Sequence, residues 1–316
     1  MASVAVEAFY HGNVDSSDAD AAQKSILMCL DRSGGGGLSK KKYPTEAVIQ
    51  IPRNSDPQCV ICPTKNVTEA NTAVEVYFQI GKDNITDRVM IDMLTHMMAE
   101  PLYDQLRTKD QFGYSVSCDA RWTCGIMGVF FSVVSSTKSA VSMPILLLSG
   151  VPLFVSSRSN HIFHAQDEIA KRIDSFLLDF RNELNDMKKE QFMEHLVGLA
   201  KNKLEMFNSL SEETGCYWSE IQDNRFEWEV YRNEALELRS LTKELVLTAF
   251  DDWLLPSDEG KKRERRALVV QVIGSGETAS AHGRPNVDSE AIPAFADEKV
   301  RDVHKSVGGT TWGKVY

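Results

Sequence analysis

Hydrophobic and polar positions alternate most cleanly over residues 73–80. Val74, Val76, Phe78 and Ile80 are separated by Glu75, Tyr77 and Gln79, the period-two pattern of a half-buried strand. Shorter apolar runs at 47–51 and 59–62 predict two further strands. From about Thr86 to Arg107 the period lengthens. Val89, Met90, Met93, Leu94, Met97, Met98, Leu102 and Leu106 recur at three- and four-residue spacings, which predicts an amphipathic helix. Pro101 predicts a kink or break near Glu100. Residues 112–121 and 125–135 read as a hairpin with Trp122-Thr123-Cys124 at its turn. From Glu168 to Leu255 the pattern is helical in several pieces. Its expected anchors are Phe176, Leu177, Phe180 and Leu184, then Phe192, Leu196, Leu199 and Leu204, then Tyr217, Trp218 and Ile221, then Leu236, Leu241, Leu245 and Phe250. Residues 267–273 form a final strand, expected to be buried on both faces. The order predicts an α+β fold, an antiparallel sheet covered by helices on one face.

The two ends read differently. Val4 to Tyr10 is rich in strand formers, and His11-Gly12-Asn13 closes it as a turn. Asp15 to Asp20 offers N-caps for a short helix over 21–30. One strand and one helix bury no core, so residues 1–33 read as the end of a larger, preceding unit. Gly34 to Gly37 and Lys40 to Lys42 make 34–43 a linker, because four successive glycines cost too much backbone entropy inside an element. Residues 44–275 form the main domain and 276–316 a polar tail.

Composition narrows the function classes. Of 316 residues, 35 are Lys or Arg and 45 Asp or Glu, a formal net charge of −10, which argues against a general nucleic-acid binder. No run of ~18 apolar residues could span a membrane. The N-terminus has no basic region before an apolar stretch and does not read as a signal peptide, so a reducing, cytoplasmic setting is expected. Six scattered cysteines make no disulfide framework. The sequons at Asn66 and Asn84 carry no meaning without secretion.

Most candidate chemistry dissolves on inspection. A zinc hydrolase needs two histidines and a glutamate in register on one helix. His161, His164 and Glu168 share a helix face, but no general-base glutamate precedes a ligand in the right register. His96 and Glu100 read as a surface pair. Cys59-Val60-Ile61-Cys62 is a single CxxC in a strand pattern, with only Cys118 and Cys124 as further thiols near the sheet, so buried cysteines are expected rather than a metal or redox module. Gly274-Ser275-Gly276 is followed by no helix. Lys261 to Arg266 reads as a solvated basic loop.

One segment does not dissolve. Residues 100–114 join the Met-rich helix to the next strand and bring Arg107 and Tyr114 to the sheet edge. Guanidinium and phenol donors suit a peptide backbone or a developing oxyanion. Leu106-Arg107-Thr108-Lys109-Asp110-Gln111-Phe112-Gly113-Tyr114 resembles the Leu-Arg-Thr-Lys-Glu-Gln-Leu-Gly-Tyr signature of the insulysin and nardilysin group of M16 zinc metallopeptidases. Glu7-Ala8-Phe9-Tyr10-His11-Gly12-Asn13, Val74-Glu75-Val76-Tyr77-Phe78-Gln79, Cys216-Tyr217-Trp218-Ser219-Glu220-Ile221 and Leu241-Thr242-Lys243-Glu244 resemble family segments in the same order, so that the likeness covers about residues 5–273.

The resemblance implies a LuxS/metallohydrolase-like M16 repeat, the fourth of four, preceded by the end of the third. In that family two halves close around a peptide chamber, and zinc with its His-x-x-Glu-His motif lies in the first repeat. This chain is therefore expected to hold no cofactor of its own and to be inactive alone, with zinc in the full-length family enzyme. Arg107 and Tyr114 would contact substrate and transition state, and Tyr103 would line the substrate pocket. Lys201 and Lys203 correspond to part of a basic cluster for anionic ligands, although Glu205 to Ser209 departs from it. Expected partners are peptide substrates and a zinc-bearing N-terminal half in cis or in trans, and a homodimer is admitted. An alternative reading is a non-catalytic partner subunit acting in trans. Residues 141–159 have no counterpart in the family pattern and read as an unusual apolar insertion.

Overall fold

The structure, a computed structural model, describes residues 6–32, 47–53, 57–66, 68–135, 160–223, 225–257, 263–274 and 311–313; of 32, 47, 61, 63, 160–168 and 311–313 it describes the backbone alone. The expected linker, the apolar insertion and most of the polar tail lie outside these residues.

In chain order the elements are α1 (Ser16–Arg32), β1 (Ala47–Ile49), β2 (Gln58–Pro63), β3 (Thr72–Lys82), α2 (Ile85–Tyr103), β4 (Ser115–Thr123), β5 (Ile126–Ser135), α3 (Asn160–Asp186), α4 (Lys189–Lys203), α5 (Leu210–Gln222), α6 (Val230–Glu237), α7 (Lys243–Trp253), β6 (Ala267–Ile273) and β7 (Thr311–Gly313). Five strands form one sheet in the order β2-β6-β3-β5-β4. Its pairs are antiparallel except β2 with β6. The fold is thus α+β with a mostly antiparallel sheet. Within the expected tail, β7 pairs antiparallel with β1.

Alternation decides which face is inside. Val74, Val76 and Phe78 of β3 join Met127, Val129, Phe131 and Val133 of β5 in one buried cluster with α2, α3, α4 and α7. Phe78 and Phe131 meet edge to face at 5.7 Å across the β3–β5 pair. The other face carries Glu75, Arg121, Phe130 and Val270, all partly exposed. β6 follows the same rule and departs from the expectation of burial on both faces. Ala267, Val269 and Gln271 are buried, whereas Leu268, Val270 and Val272 are only half-buried. The hairpin turn falls one residue later than expected, at Cys124 (φ 51°) and Gly125 (φ 72°). Two successive left-handed residues make the tight turn whose twist suits antiparallel strands.

Three local expectations change. Residues 6–10 form no strand; Phe9 instead stacks on His11 (5.7 Å between centroids) and on Trp228 (6.4 Å). His11 Nδ1 pairs with the Thr214 hydroxyl at 2.8 Å, so this segment docks on α5. Pro101 does not end α2, because Leu102 and Leu106 are almost wholly buried and hold the chain on the core. Finally, the described end of the basic run is not a solvated loop. Arg263 donates to the Pro256 carbonyl (2.9 Å), Arg265 pairs with Asp174 (2.7 Å) over the Phe78 ring, and Arg266 donates to the Ile51 carbonyl. All three are buried, which their guanidinium forks permit because each finds an acceptor.

Candidate functional site

The segment after α2 is shaped by backbone geometry. Asn84 caps α2 by accepting from the Asp87 N–H at 2.9 Å, and the buried residues Val89, Met93, Leu94, Met97 and Met98 fix its face. Beyond Tyr103 the helix widens into a π-helical stretch, Asp104–Lys109. The Asp110 N–H donates to the Gln105 carbonyl (2.9 Å) and the Phe112 N–H to the Leu106 carbonyl (3.0 Å). Such widening re-aims side chains relative to the preceding helix. Gln111 then adopts the left-handed region, φ 56°. Gly113 lies against β5, where an added Cβ would stand 2.3 Å from the Val134 carbonyl oxygen. The Tyr114 N–H donates to that same oxygen (3.1 Å), and β4 begins at the next residue. Only glycine lets the loop approach the sheet closely enough for this.

The result is a small surface cluster. Arg107 Nε donates to the Tyr103 hydroxyl (2.8 Å), and Nη1 donates to the Gly113 carbonyl (3.2 Å). The Arg107 guanidinium also stands 5.8 Å from the Tyr103 ring centroid. Tyr103 is 46% and Tyr114 55% exposed. Among the described residues neither the Tyr114 hydroxyl nor Arg107 Nη2 has a partner. Asp110, on the same loop, accepts from Arg172 and Gln105. Burial pulls its pKa upward, but those hydrogen bonds outweigh it and hold the carboxyl below its ordinary value. Its stabilisation is therefore present above the usual carboxylate range and lost as pH falls through the lowered value.

Tyr103 and Arg107 are thus joined, and Tyr114 follows directly on the Gly113 that Arg107 holds, whereas Lys203 is not with them. Its ammonium donates to Asp92 (2.6 Å) and Glu234 (2.7 Å). Burial acts to lower its pKa, but these two carboxylates hold it above the ordinary value. Asp92 precedes Tyr103 by three turns of α2, about 16 Å. Lys201 is exposed on the same helix, α4. Arg172 carries no signal in the sequence, since it belongs to no motif and its partner lies 62 positions away.

Among the described residues no three His, Cys, Asp or Glu side chains converge where a metal could sit. The side chains of His161, His164 and Glu168 lie outside them. Cys59 and Cys62 are three apart on β2 and so point to opposite faces, which excludes one shared metal or a bond between them. Cys118 is buried, and desolvation, then Asp119, pushes its thiol up to about 12. Brief iodoacetamide treatment of the native protein should label exposed Cys59 and spare Cys118, as read by peptide mass spectrometry. Labelling of both at one rate would mean that the contact between α2 and β4 opens readily.

The described site therefore offers hydrogen-bond donors at the start of β4, beside an α+β sheet. A family model described as PQQ synthase PqqF-like, C-terminal lobe domain 4, matches residues 93–144, a stretch that contains the whole cluster. The chain is 29% identical to a nardilysin-like protein of Arabidopsis thaliana over 236 residues, 74% of this chain and 20% of the relative. It is 25% identical to the insulin-degrading enzyme of Homo sapiens over 253 residues, 79% of this chain and 22% of the relative. The pitrilysin crystal structure shares the fold, with a TM-score of 0.59 at 15% identity over 86% of this chain and 25% of that one. This chain is thus similar to the C-terminal portion of peptidases of the M16, insulin-degrading-enzyme and nardilysin type. It spans about a fifth of the length of these curated relatives.

Proposed function

We propose that this chain works as the non-zinc, C-terminal part of an insulysin-like zinc metalloendopeptidase. It closes one side of a peptide chamber and presents Arg107, Tyr114 and Tyr103 to the substrate. The observation that supports this most is the exposed donor cluster, held by a glycine contact, on the segment that the C-terminal lobe model matches. Arg107 donates to a substrate carbonyl while Tyr103 holds its Nε edge. The Tyr114 hydroxyl donates to the oxyanion that develops on the attacked carbonyl. A zinc-bearing half, in cis or in trans, supplies metal and water, and the setting is cytoplasmic.

The test is hydrolysis of an internally quenched peptide by the purified chain, with and without a separately expressed zinc-bearing half. Activity is expected in the mixture and not in the chain alone. Activity of the chain alone that a chelator abolishes would sink the proposal and direct attention to His161, His164 and Glu168. Binding of the zinc-bearing half without any gain in hydrolysis would favour the non-catalytic partner reading.

A further inference from the structure

The loop that carries the donor cluster is not held by its backbone alone. Asp110 sits between the π-helical stretch and left-handed Gln111, and its carboxylate is gripped from two sides. Arg172 on α3 donates through both Nε and Nη2 (Nη2 to Oδ1, 2.9 Å). Gln105 Nε2 lies 3.1 Å from each carboxylate oxygen. The flanking residues of α3, Ile169, Ile173 and Phe176, are sunk in the main core. Arg172 therefore ties the loop to a helix whose own position is fixed by packing. Neighbouring Lys109 pairs with Asp104 at 2.8 Å and adds only a through-space attraction to Asp110.

We infer that Asp110 and Arg172 are positioning residues, whose fork fixes the turn between Arg107 and Gly113 and so sets where the substrate-facing donors stand. This rests on the reading of Arg107 and Tyr114 as substrate contacts. Arg107 and Tyr114 make few side-chain bonds of their own, so their placement follows that of the backbone beneath them. A displacement of about 1 Å at a reacting group can cost about 100-fold in rate. A part-exposed ion pair adds little to stability as such. A two-pronged guanidinium–carboxylate contact, by contrast, fixes direction as well as distance, which a lysine cannot do.

The experiment compares Arg172→Ala and Arg172→Lys with the parent, as the full chain combined with a zinc-bearing half acting on an internally quenched peptide. Arg172→Ala should lower kcat about tenfold while KM changes less than about threefold. Arg172→Lys should melt close to the parent yet still lose several-fold in kcat. In the chain alone, the backbone amides of 111–115 should exchange hydrogen about tenfold faster in Arg172→Ala, a readout independent of the zinc half. Unchanged exchange overturns the inference. So does parental kcat in Arg172→Ala or Arg172→Lys while Tyr114→Phe is inactive, and in that case the substrate-contact reading survives. Parental kcat in Tyr114→Phe overturns both.

Discussion

Replacing Arg88 by alanine should lower the unfolding free energy by about 3–5 kcal/mol, the cost of breaking a buried charge network from its centre. Arg88 is only 3% exposed near the start of α2. Its guanidinium donates to Asp83 (2.9 and 3.1 Å), Glu227 (3.2 Å) and Glu234 (3.1 Å). Burial alone would lower its pKa, but Asp83 and Glu234 keep it firmly charged. Glu234 is shared with Lys203, which also holds Asp92, and Asp83 is shared with Arg225. The loss of Arg88 leaves buried Glu234 and partly buried Asp83 with one cation each. Urea denaturation of the chain measures the effect. Arg232→Ala removes a largely exposed pair with Glu229 and should fall within about 0.5 kcal/mol of the parent. Equal, small effects at both positions would mean that water enters the α2–α6 contact and screens the network.

Tyr114→Phe should reduce kcat about 100- to 1000-fold in the assembled enzyme, with KM nearly unchanged. The hydroxyl has no partner among the described residues, so its removal breaks no bond among them. The loss should therefore appear in the transition state and not in stability. Arg107→Ala should act on KM as well, because the guanidinium would be lost both to the substrate and to the Tyr103 hydroxyl and Gly113 carbonyl. Tyr103→Phe separates these roles, since it keeps the ring and removes only the acceptor for Arg107 Nε. Steady-state kinetics on one quenched peptide, with melting temperatures alongside, checks all three. Parental kcat for Tyr114→Phe would remove the phenol from the reaction.

Where local pattern reports burial, the sequence was readable. The alternation in β3 and the three- and four-residue spacing in α2 reflect which side chains leave water, and both elements stand within a few residues of expectation. The donor cluster was readable for a different reason. It is built from neighbours in sequence, Tyr103, Arg107, Gly113 and Tyr114, so one short motif carried most of it. Asp110 belonged to the same motif, but its partner did not, and nothing local distinguishes Arg172 from other charged positions on α3.

The charged residues show where reading stops. Lys203 was expected in a basic cluster for anionic ligands, and Arg263 to Arg266 in a solvated loop. Burial of a cation depends on acceptors, and those arrive from far along the chain. Asp92 meets Lys203 across 111 positions, and the Ile51 carbonyl meets Arg266 across 215. Val6 to Tyr10 shows the same limit with apolar residues. Strand-forming side chains supplied the propensity, but no neighbouring strand is offered among the described residues, and the aromatic rings found α5 and Trp228 instead.

The sequence by itself thus determined most elements of the main domain, the inward face of β3 and the residues of the donor loop, because periodic burial and a contiguous motif are local properties. Only the tertiary structure decided that β6 lies between β2 and β3, which cations are buried, and that Asp110 is clamped by α3. Strand pairing and charge compensation depend on which distant groups meet, and that is set by how the helices close over the sheet.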